Sequence, residues 1–133
     1  FVSAYDGVTL TLKNGETIKV RNVIWAAGVT GNIIRGVNPE AVNRNRYVVD
    51  RHNLVKNHHN IFAIGDIAYM ETPLYPQGHP QLANVAINQG KMLARNLRAM
   101  AKNEKLKEYE YRDLGSMATI GKHKAVVDLP KLK

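Results

Sequence analysis

The chain has 133 residues, no cysteine and a formal net charge of +8 at pH 7. Its length is enough for one compact domain with its own core. The absence of cysteine excludes disulfides, cysteine-based metal sites and a thiol nucleophile within this sequence.

The positive charge is concentrated in residues 91–133, which hold 11 Lys and Arg residues against 5 acidic ones. A bias of this kind is typical of nucleic-acid binding, of attachment to anionic lipid, or of a solvated helix face. The chain has one Trp and two Phe, and no aromatic residue is interleaved with the basic run on the helix. Because single-strand binders use such residues as a stacking platform, we expect no nucleic-acid partner.

The first part of the chain predicts β-structure. Residues 8–12 and 17–20 alternate between apolar and polar side chains, and Asn14-Gly15 between them supplies the positive φ angles of a tight hairpin turn. Residues 23–28 follow as a continuous apolar run, which is typical of a strand buried on both faces.

A second β region leads into a Gly-Asp pair. Residues 31–46 predict a connection, 47–50 a strand, and 61–64 a buried strand that ends at Gly65-Asp66. Gly65 allows close approach of a ligand, and the Asp66 carboxylate can accept hydrogen bonds from vicinal hydroxyl groups. We expect a ligand site here, and the alternative is an ordinary turn.

The rest of the chain predicts one long helix and two short strands. Residues 69–80 predict an irregular loop, 81–102 a helix and 103–113 a charged loop. Residues 116–121 and 125–127 predict strands joined by a basic turn. The expected apolar face of the helix comprises Ala86, Gly90, Leu93, Leu97 and Met100, and its cationic stripe comprises Lys91, Arg95, Arg98 and Lys102.

The order of buried strand, Gly-Asp pair, loop and long helix resembles the C-terminal half of the FAD domain in flavoproteins with two dinucleotide-binding domains. In that family the Asp binds the ribityl chain, and amides at the helix start meet the pyrimidine edge of the flavin. A helix N-terminus carries partial positive charge, which stabilises negative charge on the reduced ring. The resemblance implies FAD contacts at Gly65, Asp66, Asn84, Val85 and Ala86.

Two further segments narrow this resemblance. Residues 80–90 and 114–122 look like type II NADH dehydrogenase, the single-subunit, non-proton-pumping NADH:quinone oxidoreductase of the pyridine nucleotide-disulfide oxidoreductase superfamily. Residues 23–29 look like the apolar-Ala-Gly segment that closes the NADH domain in the same proteins. The resemblance implies that Ala27 and Gly28 lie near the nicotinamide, and the alternative is a strand end of small residues.

The head of the helix departs from the family pattern Ala-Gln-x-Ala-x-Gln-Gln-Gly. Asn84 and Asn88 stand where the pattern has two glutamines, while Gln89 is retained. Each asparagine keeps the side-chain amide but is one methylene shorter than the glutamine. The resemblance implies that Asn84, Asn88, Gln89 and Lys122 lie on the quinone side of the flavin. Lys122 is otherwise a solvated turn lysine.

We therefore expect an α/β fragment of a type II NADH dehydrogenase, cut at both ends. Residues 1–32 would be the last strands of the NADH-binding domain, 33–108 the C-terminal half of the FAD domain, and 109–133 the start of the C-terminal domain. The sequence has no Gly-x-Gly-x-x-Gly turn for the FAD pyrophosphate, which such proteins carry upstream. The isolated chain is therefore expected to bind no FAD and to turn over no NADH.

The resemblance also implies a location and excludes other chemistry. The parent would take hydride from NADH, pass electrons to a quinone, and lie on the cytoplasmic face of the cell membrane as a peripheral protein. The five histidines show no metal-ligand spacing, and unpaired strand edges make a homo-oligomer of the fragment plausible. Two alternatives stay open: another flavoprotein reductase of the superfamily, and a small basic module that binds nucleic acid or a membrane surface.

Overall fold

A computed structural model describes residues 1–113 and 115–128, which form three small sheets and one long helix, so the chain is mixed α/β. In chain order the elements are β1 (Val2–Tyr5), β2 (Thr9–Leu12), β3 (Thr17–Lys19), β4 (Val42–Asn43), β5 (Arg46–Val49), β6 (Ala68–Met70), α1 (Ala83–Ala101), β7 (Ser116–Ile120) and β8 (Lys124–Asp128). Two short 3-10 helices span Pro39–Ala41 and Gly65–Ile67.

The first sheet confirms the predicted hairpin. β1, β2 and β3 pair antiparallel, with Leu10 opposite Ile18. The turn differs from the expectation, because only Gly15 has a positive φ, +87°, and its N–H donates to the carbonyl of Leu12 at 3.0 Å. This is a three-residue loop with a left-handed glycine, so Asn14 does not adopt the positive φ that was predicted for it.

The central sheet forms part of the core. β4 and β5 are antiparallel, while β5 and β6 are parallel, with Tyr47 opposite Ala68 and Val49 opposite Met70. β5 confirms the strand that was predicted at residues 47–50. The buried cluster comprises Ala41, Tyr47, Val49, Val55, Ala63, Ala68, Met70, Val85, Tyr109 and Tyr111.

The prediction of a buried strand at residues 23–28 is wrong. These residues form no strand, and all of them are exposed, with Ile24 92% and Trp25 68% accessible. A strand that is apolar on both faces requires a neighbour on each edge and a layer on each face. None of the described residues supplies either, so the apolar run stays in solvent.

The Gly-Asp pair also lies differently from the expectation. Residues 61–64 are extended, but their only ladder contact among the described residues is an isolated bridge between Phe62 and Leu54. The regular strand β6 follows the pair instead of preceding it, and it takes up two residues, Tyr69 and Met70, that were predicted as loop. A strand predicted to be buried is thus exposed at Ile61 and Ile64.

The helix is confirmed, and its predicted apolar face is right at Ala86 and Gly90, which lie against Gly65 and Ile64, but wrong at Leu97 and Met100, which are exposed. The buried positions on α1 are Val85, Gln89 and Asn96, and Met92 packs against the core, whereas Leu97 is exposed. The reason is that polar side chains find specific partners. The Asn96 amide exchanges two hydrogen bonds with the Lys107 backbone, at 2.8 and 3.0 Å.

The segment after the helix has no regular structure, as predicted, and Arg51 fixes it to the central sheet. The Arg51 guanidinium contacts Glu108 at 2.7 Å and Glu110 at 3.3 Å, and its Nε donates to the carbonyl of Tyr109. The Tyr109 N–H donates in turn to the Arg51 carbonyl at 2.8 Å. Burial of Tyr109 in this region raises its pKa to about 12.

The last two strands, β7 and β8, confirm the two strands that were predicted here, and they pair antiparallel with Gly121, Lys122 and His123 in the turn. Their main packing partner is each other. Within residues 1–113 and 115–128, no helix combines the length and the apolar character that crossing a bilayer requires. The same residues contain no group of three or more His, Asp or Glu side chains arranged to hold a metal ion.

Candidate functional site

The turn Gly65–Ile67 is held from both sides by glutamine side chains. The Gly65 N–H donates to Gln89 Oε1 at 2.7 Å. The Asp66 carbonyl accepts a hydrogen bond from Gln81 Nε2 at 2.9 Å. Gln89 lies in the second turn of α1 and Gln81 just before its start, so the Gly-Asp turn and the helix N-terminus are fixed relative to each other.

Glycine is required at position 65 because the helix approaches so closely. Gly65 has φ +68°, and a Cβ at this position would lie 3.1 Å from the Cβ of Ala86. A side chain would therefore be strained by the backbone and crowded by α1. At Gly90, a Cβ would lie 3.5 Å from the Ile64 side chain, which is an ordinary contact.

The contact between the Gly65–Ile67 turn and α1, called the joint below, leaves groups of opposite polarity facing away from it. The Asp66 side chain is exposed, and among the described residues its carboxylate has no hydrogen-bond or ion-pair partner. The helix start carries no side-chain cap and no acidic residue in its first turn. The turn therefore offers an anionic acceptor beside backbone N–H donors at the positive end of a helix dipole.

This set of groups fits one part of a flavin. A free carboxylate accepts hydrogen bonds from ribityl hydroxyl groups, and uncapped helix amides donate to the carbonyl oxygens of a pyrimidine ring. Asp66 and the backbone of Asn84 and Val85 are the groups that would hold it. Val85 is buried in the core, so its side chain is not available to the ligand.

The structure brings together some of the predicted site residues and not others. Gly65, Ala86 and Gln89 meet at the joint, but the Gln89 oxygen is occupied by the Gly65 N–H. Asn88 lies on a different face of α1, where it lines a cleft with Lys91 and Arg95. Ala27 and Gly28 lie in exposed coil and Lys122 in the exposed β7–β8 turn, and no described contact joins them to Asp66.

Sequence reasoning missed the residues that support the helix start. Arg46 is buried, its Nη1 donates to the His79 carbonyl at 3.0 Å, and its guanidinium lies 4.9 Å from the ring centroid of Tyr69. Burial lowers the pKa of Arg46. His79 and Tyr69 are more than 20 residues from Arg46 in sequence, so no local pattern predicts these contacts. Among the supporting residues, only Gln81 lies close enough in sequence to the start of α1 for a role there to be predicted.

The His79 ring packs against aromatic rings shortly before the start of α1 in sequence. Its ring centroid is 5.1 Å from that of Tyr75 and 5.4 Å from that of Tyr109, both edge-on. The Thr72 hydroxyl donates its one proton to Glu110 at 2.6 Å, so it accepts from His79 Nε2, 3.1 Å away. His79 is therefore the Nε2–H tautomer, and its buried Nδ1 has no partner among the described residues.

Stability should fall as the pH drops below the ordinary histidine pKa of 6.5, because His79 resists protonation in the folded state. Burial lowers its pKa, so the unfolded chain takes up a proton that the folded chain does not, and stability above pH 6.5 is lost as the pH falls. Urea unfolding between pH 5.5 and 7.5 measures this slope. His79→Gln should flatten it, whereas His59→Gln, in an exposed turn, should leave it unchanged.

Residues 2–90 match the family described as pyridine nucleotide-disulphide oxidoreductase. The chain is 31% identical over 126 residues to proteins named type II NADH:quinone oxidoreductase from Staphylococcus aureus strains NCTC 8325 / PS 47, COL and N315. The alignment covers 95% of this chain and 30% of each relative, so the chain spans about a third of their length.

Proposed function

We infer that this chain, which belongs to the pyridine nucleotide-disulphide oxidoreductase family, is part of an FAD-dependent type II NADH dehydrogenase. The observation that carries this proposal is the joint between the Gly65–Ile67 turn and α1, which leaves one carboxylate and the uncapped helix amides free for a ligand. The likeness to the Staphylococcus aureus oxidoreductases supports quinone as the electron acceptor and NADH as the donor.

The bound flavin would supply two-electron chemistry, accepting hydride and passing electrons on. The residues of this chain bind and orient. Asp66 accepts hydrogen bonds from the ribityl hydroxyls, and the first-turn amides of α1 place positive potential at the pyrimidine edge. Gln81 and Gln89 hold these two groups at a fixed separation, so that neither needs to reorganise when the flavin changes its charge.

The finer assignments belong to the same proposal. Residues 1–32 would close the NADH-binding domain, 33–108 complete the FAD domain, and 109–133 begin the C-terminal domain. Ala27 and Gly28 would approach the nicotinamide once the apolar run 23–28 is covered by the rest of the NADH domain. Asn84 and Lys122 would face the quinone, and the parent would attach to the inner face of the cell membrane as a peripheral protein.

Purification of the longer gene product that contains this sequence tests the proposal. It should be yellow, oxidise NADH, and reduce a soluble quinone rather than a disulfide. Asp66→Ala should weaken FAD binding by at least about tenfold, because a charge-assisted hydrogen bond to the ribityl chain is lost. Glu104→Ala removes the same charge at the exposed end of α1 and should leave FAD affinity unchanged.

Two results would contradict the proposal. One is a longer protein that stays colourless after incubation with FAD. The other is an Asp66→Ala protein with the same flavin content and dissociation constant as the unmodified one. Preference for a disulfide or a ferredoxin as acceptor would keep the flavin site and point to another reductase of the family.

The 133-residue chain alone is proposed to bind no flavin, because the pyrophosphate of FAD requires a Gly-rich turn that this sequence lacks. Its absorbance spectrum after incubation with FAD and desalting should show no flavin bands. Retained flavin would show that the half-site is sufficient.

A further inference from the structure

A cleft lies between α1 and the extended segment 109–112, on a different helix face from the joint with Gly65. Its volume is about 370 Å³. The charged and amide side chains along it are Asn88, Lys91 and Arg95 from the helix and Glu110 and Arg112 from the segment, and Tyr109 and Tyr111 also line it. Three cations thus face one carboxylate.

The one carboxylate in the cleft already has partners. Glu110 Oε1 accepts the Thr72 hydroxyl at 2.6 Å, and Oε2 pairs with Arg51 at 3.3 Å. Among the described residues, none of the three cleft cations forms an ion pair. The positive charge of the cleft is therefore uncompensated by the protein.

The helix spacing adds to this imbalance. Lys91 and Arg95 are four residues apart, so their side chains are neighbours on one face of α1. Like charges at this spacing destabilise a helix, and an anion between them would remove the repulsion. Arg112 reaches the same space from the opposite wall.

We propose that this cleft binds a phosphate group, carried by a small soluble metabolite or by a phospholipid headgroup. Arg and Lys bind phosphate through charge-assisted hydrogen bonds, and the Asn88 amide adds a neutral donor. A cleft of this size accommodates a small anion. The site shares no side chain with the Asp66 turn, so it stands whether or not the flavin proposal holds.

The test is a titration of the 133-residue chain with inorganic phosphate against chloride at constant ionic strength. Amide shifts in ¹H–¹⁵N spectra at residues 88–95 and 112 should saturate. Lys91→Ala/Arg95→Ala should weaken binding by at least about tenfold. Arg98→Ala/Lys102→Ala removes the same charge from the part of the cationic stripe that does not line the cleft, and should weaken binding by less than about threefold, since these two charges act on the anion only through screening solvent.

Equal weakening by the two double variants, or shifts that never saturate, would overturn the proposal, because either result indicates general attraction to a basic helix. Far-UV circular dichroism establishes that both variants keep the helix. The exchange Lys91→Arg/Arg95→Lys preserves both charges and should keep the affinity for phosphate within a few-fold. Loss of phosphate binding in this variant would contradict a site built on these two cations.

Vesicle sedimentation distinguishes the two sources of phosphate. The headgroup is the ligand if the chain binds phosphatidylglycerol vesicles but not phosphatidylcholine vesicles. In that case, added inorganic phosphate and the substitutions Lys91→Ala/Arg95→Ala should each abolish vesicle binding. If both double variants bind vesicles equally while the phosphate titration still depends on the cleft, the ligand is a soluble phosphate.

Discussion

Truncation of Gln89 to Ala should lower the free energy of unfolding by about 2–4 kcal/mol. The Gln89 side chain is 1% exposed, and its oxygen accepts the Gly65 N–H at 2.7 Å. The substitution leaves that donor without a partner and opens a cavity between α1 and the turn. The loss would be measured by urea unfolding, followed by the circular dichroism of the helix.

The adjacent residue supplies the control. Asn88 is exposed one position earlier on the same helix, and Asn88→Ala should change the free energy of unfolding by less than about 0.5 kcal/mol. Gln89→Met keeps most of the volume and removes the acceptor, so its cost, about 1–3 kcal/mol, isolates the unpaired Gly65 N–H. Equal unfolding midpoints for Gln89→Ala and Asn88→Ala would show that the joint does not stabilise the fold.

Gly78→Ala should destabilise the protein by about 2–4 kcal/mol, from two separate causes. Gly78 has φ +87°, a conformation that costs an L-residue about 1–2 kcal/mol. In addition, the new Cβ would lie 2.6 Å from Cε2 of Tyr69. The ring of Tyr69 is buried against Arg46 and hydrogen-bonded to Glu71, so it has little room to move.

Gly15 is a matched control for the backbone part of this effect. It has the same φ of +87°, in the β2–β3 turn, and no atom lies within 4 Å of the position its Cβ would take. Gly15→Ala should therefore cost only the backbone strain of about 1–2 kcal/mol. The difference between the two variants in urea unfolding measures the contact with Tyr69. If they cost the same, that contact is not tight.

Both predictions concern the supports of the candidate site. Gln89 fixes the Gly-Asp turn to α1. Because Gly78 has no side chain, the backbone just before His79 can lie close to the Tyr69 ring. Stability measurements on these positions therefore test whether the turn and the helix start are pre-positioned. A pre-positioned site binds its ligand without the entropic cost of ordering loops.

The elements that local sequence decides were predicted well. The β2–β3 hairpin follows from alternation around Gly15, α1 from its 3.6-residue period, and β7–β8 from two short apolar runs around a glycine turn. Each of these forms its own hydrogen bonds within a short stretch of chain. Their bounds agree with the predicted ones to within a few residues.

The elements that depend on distant neighbours were predicted poorly. Residues 23–28 and 61–64 have the apolar character of buried strands, but burial requires paired edges that the described residues do not provide. The packed face of α1 was predicted only in part, because the buried Gln89 and Asn96 satisfy backbone groups at Gly65 and Lys107, and hydrophobic periodicity does not register such partners.

The residues of the candidate site were likewise predictable from the sequence only in part. The sequence by itself determined that a Gly-Asp turn precedes a long helix and pointed to Asp66 as a ligand carboxylate, because turn chemistry and helix period are local properties. Only the tertiary structure decided that Gln81 and Gln89 fix the turn to the helix, and that Asn88 faces a cationic cleft instead. Those outcomes depend on side-chain packing between segments 15 to 24 residues apart, for which hydropathy patterns hold no information.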